Sequence, residues 1–161
     1  MSTSVIEVKK SALEKNLNFL RSYIQKTVKI SVVIKGNAYG HGVEIVIPAF
    51  ESLNIDHFSV FSSAEAKRAF NVKRPETTLM IMGYVLPLDL EWVIRNQIEF
   101  FIFELETLEE TIKIAGKINT KAIIHLDLET GMNRTGLSKD EMLKAVDIIK
   151  EHQDLVHVKG V

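Results

Sequence analysis

The chain has 161 residues, 46% of them hydrophobic and 25% charged, and a formal net charge of −1. Those shares are ordinary for a globular protein and argue against disorder; a chain of this length buries roughly two-thirds of its unfolded surface as one domain, and without a basic block no nucleic-acid partner is expected. The absence of cysteine excludes a disulfide framework, a thiolate metal site and a cysteine nucleophile, and no metal site is expected. The first ten residues, Met1 to Lys10, contain no basic segment followed by an apolar one, and no apolar run approaches the ~20 residues of a membrane span. The expectation is a cytoplasmic protein without a membrane partner.

The predicted elements alternate along the chain. A first helix carries Leu13, Leu17, Leu20 and Ile24 on one face, and Ser11 with Glu14 reads as a capping box at its start. Six short apolar runs follow, at Val28–Ile34, His57–Phe61, Thr78–Met82, Ile98–Phe103, Lys121–Leu128 and Leu155–Val161. Most are apolar on both faces, as buried parallel strands are. Helical patterns separate them. Capping boxes are read at Ser62 with Glu65, Thr107 with Glu110 and Ser138 with Glu141; Leu108, Ile112 and Ala115 share one later face, and Met142, Val146 and Ile149 another. The sequence is therefore α/β with a parallel sheet. By pattern alone an open doubly wound sheet is favoured, because a closed eight-stranded barrel needs ~200 residues or more.

The segment from Val32 through Lys35, Tyr39 and His41 to Gly42 is the most informative. A lysine directly after a hydrophobic strand stands at the C-terminal end of that strand, where α/β proteins place their chemistry. Rooted in an apolar strand, its amine is expected to be partly desolvated, which favours the neutral form that attacks a carbonyl. Taken alone, the same lysine reads rather as a side chain that snorkels into solvent beside a glycine-rich turn. The whole string resembles the cofactor-lysine signature of alanine racemases, a fold-type III family of pyridoxal-phosphate enzymes. The resemblance implies that Lys35 bonds to the cofactor and serves as one of two catalytic bases, and that Tyr39 contacts the cofactor phosphate. His41 is read as structural.

A second string, His125 to Gly136, follows the fifth strand with two glycines and Arg134 in a polar loop. Alone it reads as a surface loop or as a rigid fork for an oxyanion. It resembles the family's Thr-Gly-Met-x-Arg-x-Gly loop, which implies that Arg134 hydrogen-bonds the phenolic oxygen of the cofactor. Seven residues earlier, where many members carry a carbamylated lysine, this chain has Asp127, a carboxylate of the same sign of charge on a shorter stem.

The resemblance reverses the choice of fold. It implies a parallel (β/α) barrel of TIM type, incomplete, with about six of its eight strands, residues 1–161 being the N-terminal part of a larger enzyme. The remaining strands and a C-terminal β-domain with the second catalytic tyrosine would lie elsewhere. The implied activity is interconversion of L- and D-alanine with pyridoxal 5'-phosphate, in a homodimer acting on a small amino-acid substrate, with this segment inactive alone. Two other readings are a non-catalytic pyridoxal-phosphate-binding barrel and a cofactor-free α/β binding module.

Overall fold

Each strand of the sheet lies beside the one that precedes it in the chain, and all six run parallel. The computed structural model describes residues 5–161; residues 1–4, on which part of the reading of the N-terminus rests, lie outside the described residues. The order is α1 (Lys10–Tyr23), β1 (Val32–Val33), α2 (Lys35–Tyr39), α3 (Val43–Glu51), β2 (His57–Val60), α4 (Ser63–Phe70), β3 (Thr78–Ile81), α5 (Pro87–Arg95), β4 (Glu99–Ile102), α6 (Leu105–Ile118), β5 (Ala122–Leu126), α7 (Lys139–Glu151) and β6 (Val156–Gly160).

A doubly wound sheet reverses its order at a switch point. Here every new strand adds to the same edge, β1-β2-β3-β4-β5-β6, which is the winding of a TIM-type barrel. The open sheet favoured by pattern alone is corrected, and the six-stranded part of a barrel is what the chain forms. Among the described residues, no helix is long and apolar enough to cross a membrane.

Register builds two unlike faces. Phe58 stands opposite Leu79, Val60 opposite Ile81, Ile81 opposite Phe100, and Phe100 opposite Ile124. All are fully buried, in one cluster with Ala66, Ala69, Leu90, Val93, Leu108 and Ala115 of the helices. Burying each large apolar side chain contributes roughly 1.5–3 kcal/mol.

The opposite face is not apolar, contrary to the strand pattern. Side chains alternate along a strand, so this face receives His57, Ser59, Glu99, Phe101 and His125. Glu99, only 1% exposed, accepts from His125 Nε2 at 2.9 Å and pairs with His57 Nε2 at 3.4 Å and with Lys159. In β6, Val158 pairs with Ile124 and Gly160 with His125, leaving Lys159 as an extra residue. A bulge of this kind re-aims a side chain, here toward Glu99. His57 Nδ1 lies 2.7 Å from Ser31 Oγ, which lies 2.6 Å from Ser59 Oγ.

The element boundaries differ most at β1. It is an edge strand paired only with β2, and the Val28 amide is drawn into a turn by Gln25 O at 3.0 Å. Helix α6 buries Leu108, Ile112 and Ala115 as expected. In α1 only Leu17 is buried and Leu20 is exposed; in α7 the buried residue is Ala145 and Val146 is exposed. Ser138 and Glu141 form the complete capping box. Ser62 caps α4, but Glu65 does not return to it. Ser11 and Thr107 lie inside their helices, which start earlier, at Lys10 and Leu105. Thr107 instead donates its hydroxyl to the carboxylate of Glu104, the cap residue of α6, at 3.0 Å.

Candidate functional site

Lys35 leaves the sheet from a fixed point. Ile34, 1% exposed, donates its amide to Ser59 O at 2.8 Å. Beyond the lysine the backbone turns left-handed, with φ of 59°, 55°, 54° and 54° at Gly36, Asn37, Ala38 and Tyr39. Left-handed geometry costs an L-residue roughly 1–2 kcal/mol. Glycine at position 36 enters it freely; the others are held by Ala38 N to Ile34 O at 2.8 Å and by Val43 N to Asn37 Oδ1 at 3.2 Å. Such strain persists only where the surroundings over-determine it, and it clusters at functional sites.

The Lys35 side chain is exposed, which corrects the expected partial desolvation. The reason is topological: among the described residues β1 has a neighbour on one side only. His41 is exposed and enters the turn through its backbone, donating its amide to Ala38 O at 3.1 Å.

At the C-terminal ends of the strands, Lys35, Phe61, Met82, Tyr84, Phe101, Phe103, Asp127 and Arg134 line a cavity of about 810 Å³, within the range of small-molecule sites. Phe101 and Phe103 stack with centroids 6.0 Å apart, and Phe101 also packs on His125 at 5.3 Å. The aromatic wall is thus continuous with the polar network around Glu99.

Arg134 sits in a loop closed at its base. Leu137 N donates to Asp127 O at 2.7 Å and Glu129 N to Leu137 O at 2.9 Å. Inside the loop the Glu129 carboxylate accepts from the amide of Gly131 and from Arg134 N at 3.3 Å. Backbone amides, chiefly those of Asn133 and Gly131, hold its carboxyl below the usual range. Gly136, at φ 112°, seals the turn; a Cβ there would stand 2.7 Å from Glu129 N.

The structure therefore brings Lys35, Asp127 and Arg134 to one cavity. It does not bring Tyr39, which is 65% exposed and stands outside the lining. Among the described residues Asp127 and Arg134 form no direct ion pair. Sequence reasoning missed Phe101 and Phe103, whose spacing of two along a strand already put them on one face, and Glu129, which stood inside the string that drew attention to Arg134. A second cavity, of about 530 Å³, lies between α1 and the start of β1, lined by Arg21, Lys29 and Asp56. There Arg21 donates to Leu53 O at 3.0 Å, and Lys29 pairs with Asp56 at 3.7 Å.

The main cavity suits pyridoxal phosphate at three points: an amine at a strand end, an aromatic wall for a planar ring, and a guanidinium fork for an oxyanion.

Residues 8–161 match the family model described as alanine racemase, N-terminal domain. Alanine racemase 1 of Caldanaerobacter subterraneus subsp. tengcongensis is 30% identical over 156 residues, covering 97% of this chain and 39% of the relative. An alanine racemase of Francisella philomiragia is 29% identical over 89% of this chain and 38% of its own length. Among solved structures, an alanine racemase of Clostridium difficile superposes with a TM-score of 0.84 at 26% identity, over 93% of this chain and 39% of that one. The histidine racemase of Leuconostoc mesenteroides shares the fold, with a TM-score of 0.81 at 18% identity over 91% of this chain and 39% of its own. The chain spans about two-fifths of the length of these relatives.

Proposed function

Because this chain belongs to the alanine racemase N-terminal domain family, we propose that it is the cofactor-holding part of a pyridoxal-phosphate-dependent racemase that interconverts L- and D-alanine. The observation that carries the proposal is the convergence of Lys35, Asp127 and Arg134 on one aromatic-walled cavity at the C-terminal ends of the strands. Alanine as the substrate rests on the names of the relatives, since a histidine racemase has the same fold.

When bound, pyridoxal phosphate would supply an electron sink for the carbanion formed at the substrate Cα. Lys35 Nζ would hold the cofactor and, freed when the substrate amine takes its place, would move the Cα proton on one face. Arg134 would hold the phenolic oxygen with its planar fork, and the carboxylate of Asp127 would set the charge beside it. Phe101 and Phe103 would exclude water from one side of the ring. Tyr39 would reach the phosphate by a movement of its exposed side chain. The proposed setting is a cytoplasmic homodimer that makes D-alanine for the cell wall, in which residues 1–161 contribute the first six strands of the barrel and are inactive alone.

Incubation of this chain with pyridoxal phosphate, borohydride reduction and peptide mapping tests the assignment. Label at Lys35 is expected; label on other lysines with none at Lys35 refutes it.

A further inference from the structure

The backbone just after Lys35 is clasped from α4, a helix with no residue in the cavity lining. Ser62 caps α4 by accepting from Glu65 N at 3.3 Å, and the reciprocal half of that capping box would send the Glu65 carboxylate back to the Ser62 amide. The Ser138 and Glu141 pair at α7 does so. Glu65 does not. Its Oε1 accepts from Gly36 N at 2.7 Å and its Oε2 from Phe61 N at 2.8 Å. Gly36 is the residue after Lys35, and Phe61 lines the same cavity as Lys35.

We infer that Glu65 is a positioning residue for Lys35, its carboxylate pinning the backbone beyond the lysine to the end of β2 and so setting the direction in which the amine leaves the sheet. The inference rests on the reading of Lys35 as the attachment lysine. On its other side Lys35 is already fixed through Ile34 N on Ser59 O, so the Glu65 clasp completes a two-point hold on a residue whose own side chain is exposed. Gly36 is also the first residue of the left-handed turn, and the clasp stands where that turn begins. A carboxylate suits the task because it accepts two amides at once, each as a charge-assisted hydrogen bond. A glutamine has one acceptor oxygen and can satisfy only one of them.

The test uses this chain with Glu65→Gln, Glu65→Ala and, as a capping control remote from the cavity, Glu141→Gln. Amide hydrogen exchange at Gly36 and Phe61 is measured by NMR, and the rate of attachment of pyridoxal phosphate at Lys35 by borohydride trapping, against the melting temperature of each variant. In Glu65→Ala both amides lose protection and attachment at Lys35 slows by about tenfold, the fold-change of one hydrogen bond to a charged group, while other lysines react as before. Glu65→Gln falls between that variant and the parent. Glu141→Gln, whose side-chain carbonyl still accepts from Ser138, keeps the Lys35 rate. Unchanged Gly36 protection in Glu65→Ala overturns the clasp. An opened amide with an unchanged Lys35 rate, or an equal loss of rate in Glu141→Gln, overturns the positioning role. A parent chain that never labels at Lys35 refutes the attachment lysine and with it this role, a result distinct from clasp failure because Gly36 protection then still responds to Glu65→Ala.

Discussion

His125 Nε2 donates to Glu99 Oε2 at 2.9 Å across the β4–β5 pair, two residues before Asp127 reaches the cavity just past the end of β5. Glu99 is the hub of the polar face, since His57 and Lys159 meet its other oxygen. Burial by itself would raise the Glu99 carboxyl; the hydrogen bonds from His125, His57 and Lys159 overcome this and hold it far below the usual 4.5.

A carboxyl depressed in the folded state stabilises the fold at any pH above its unfolded value, and that stability drains away as pH falls toward the folded value. The melting temperature of this chain is therefore expected to drop steadily once pH falls below about 4.5. In Glu99→Gln the same descent should be shallower, with a loss at neutral pH of about 2 kcal/mol. Thermal melts between pH 3 and 7 check both; parallel curves for the two proteins would contradict the assignment.

Gly136 closes the Arg134 loop where a Cβ would meet the Glu129 amide at 2.7 Å. Gly136→Ala forces the loop open and sets an alanine at φ 112°, a strain of about 1–3 kcal/mol. Faster hydrogen exchange confined to residues 129–137, with a lowered melting temperature, is the expected readout. Unchanged exchange there would show that the loop does not depend on this turn.

Asp127 and Arg134 share a cavity without a direct ion pair, so any influence of one on the other acts through the field or through water. In the racemase proposed above, Asp127→Ala is expected to shift the absorbance of the bound cofactor and to slow racemisation about three- to tenfold, an effect worth roughly 1 kcal/mol. Spectra and rates identical to those of the parent would leave Asp127 as a polar residue at the end of β5 and no more.

Among the described residues the strands β1 and β6 each pair on one side only, and an unpaired strand edge invites another chain. This chain is expected to self-associate at least to a dimer at micromolar concentration and to show no turnover of L-alanine. Light scattering and a racemisation assay check the two halves; a stable monomer refutes the first, and turnover the second.

The amino-acid sequence by itself determined the alternation of strands and helices, because hydrophobic period and capping residues act within a few positions of one another. It also marked Lys35 and Arg134, since each stands in a contiguous string at the end of a strand. Hydrophobic pattern could not choose between the doubly wound sheet and the barrel, which differ in strand order and not in local pattern; the two strings implied the barrel by resemblance, and the strand order of the tertiary structure bears it out. The tertiary structure alone showed that the inner face is polar, because Glu99 meets His125 across 26 residues and Lys159 across 60. It also sent Glu65 away from its own helix cap to Gly36, 29 residues off. A side chain's rotamers and local partners are written nearby in the chain, whereas its long-range partner is chosen by which strands lie in register beside it.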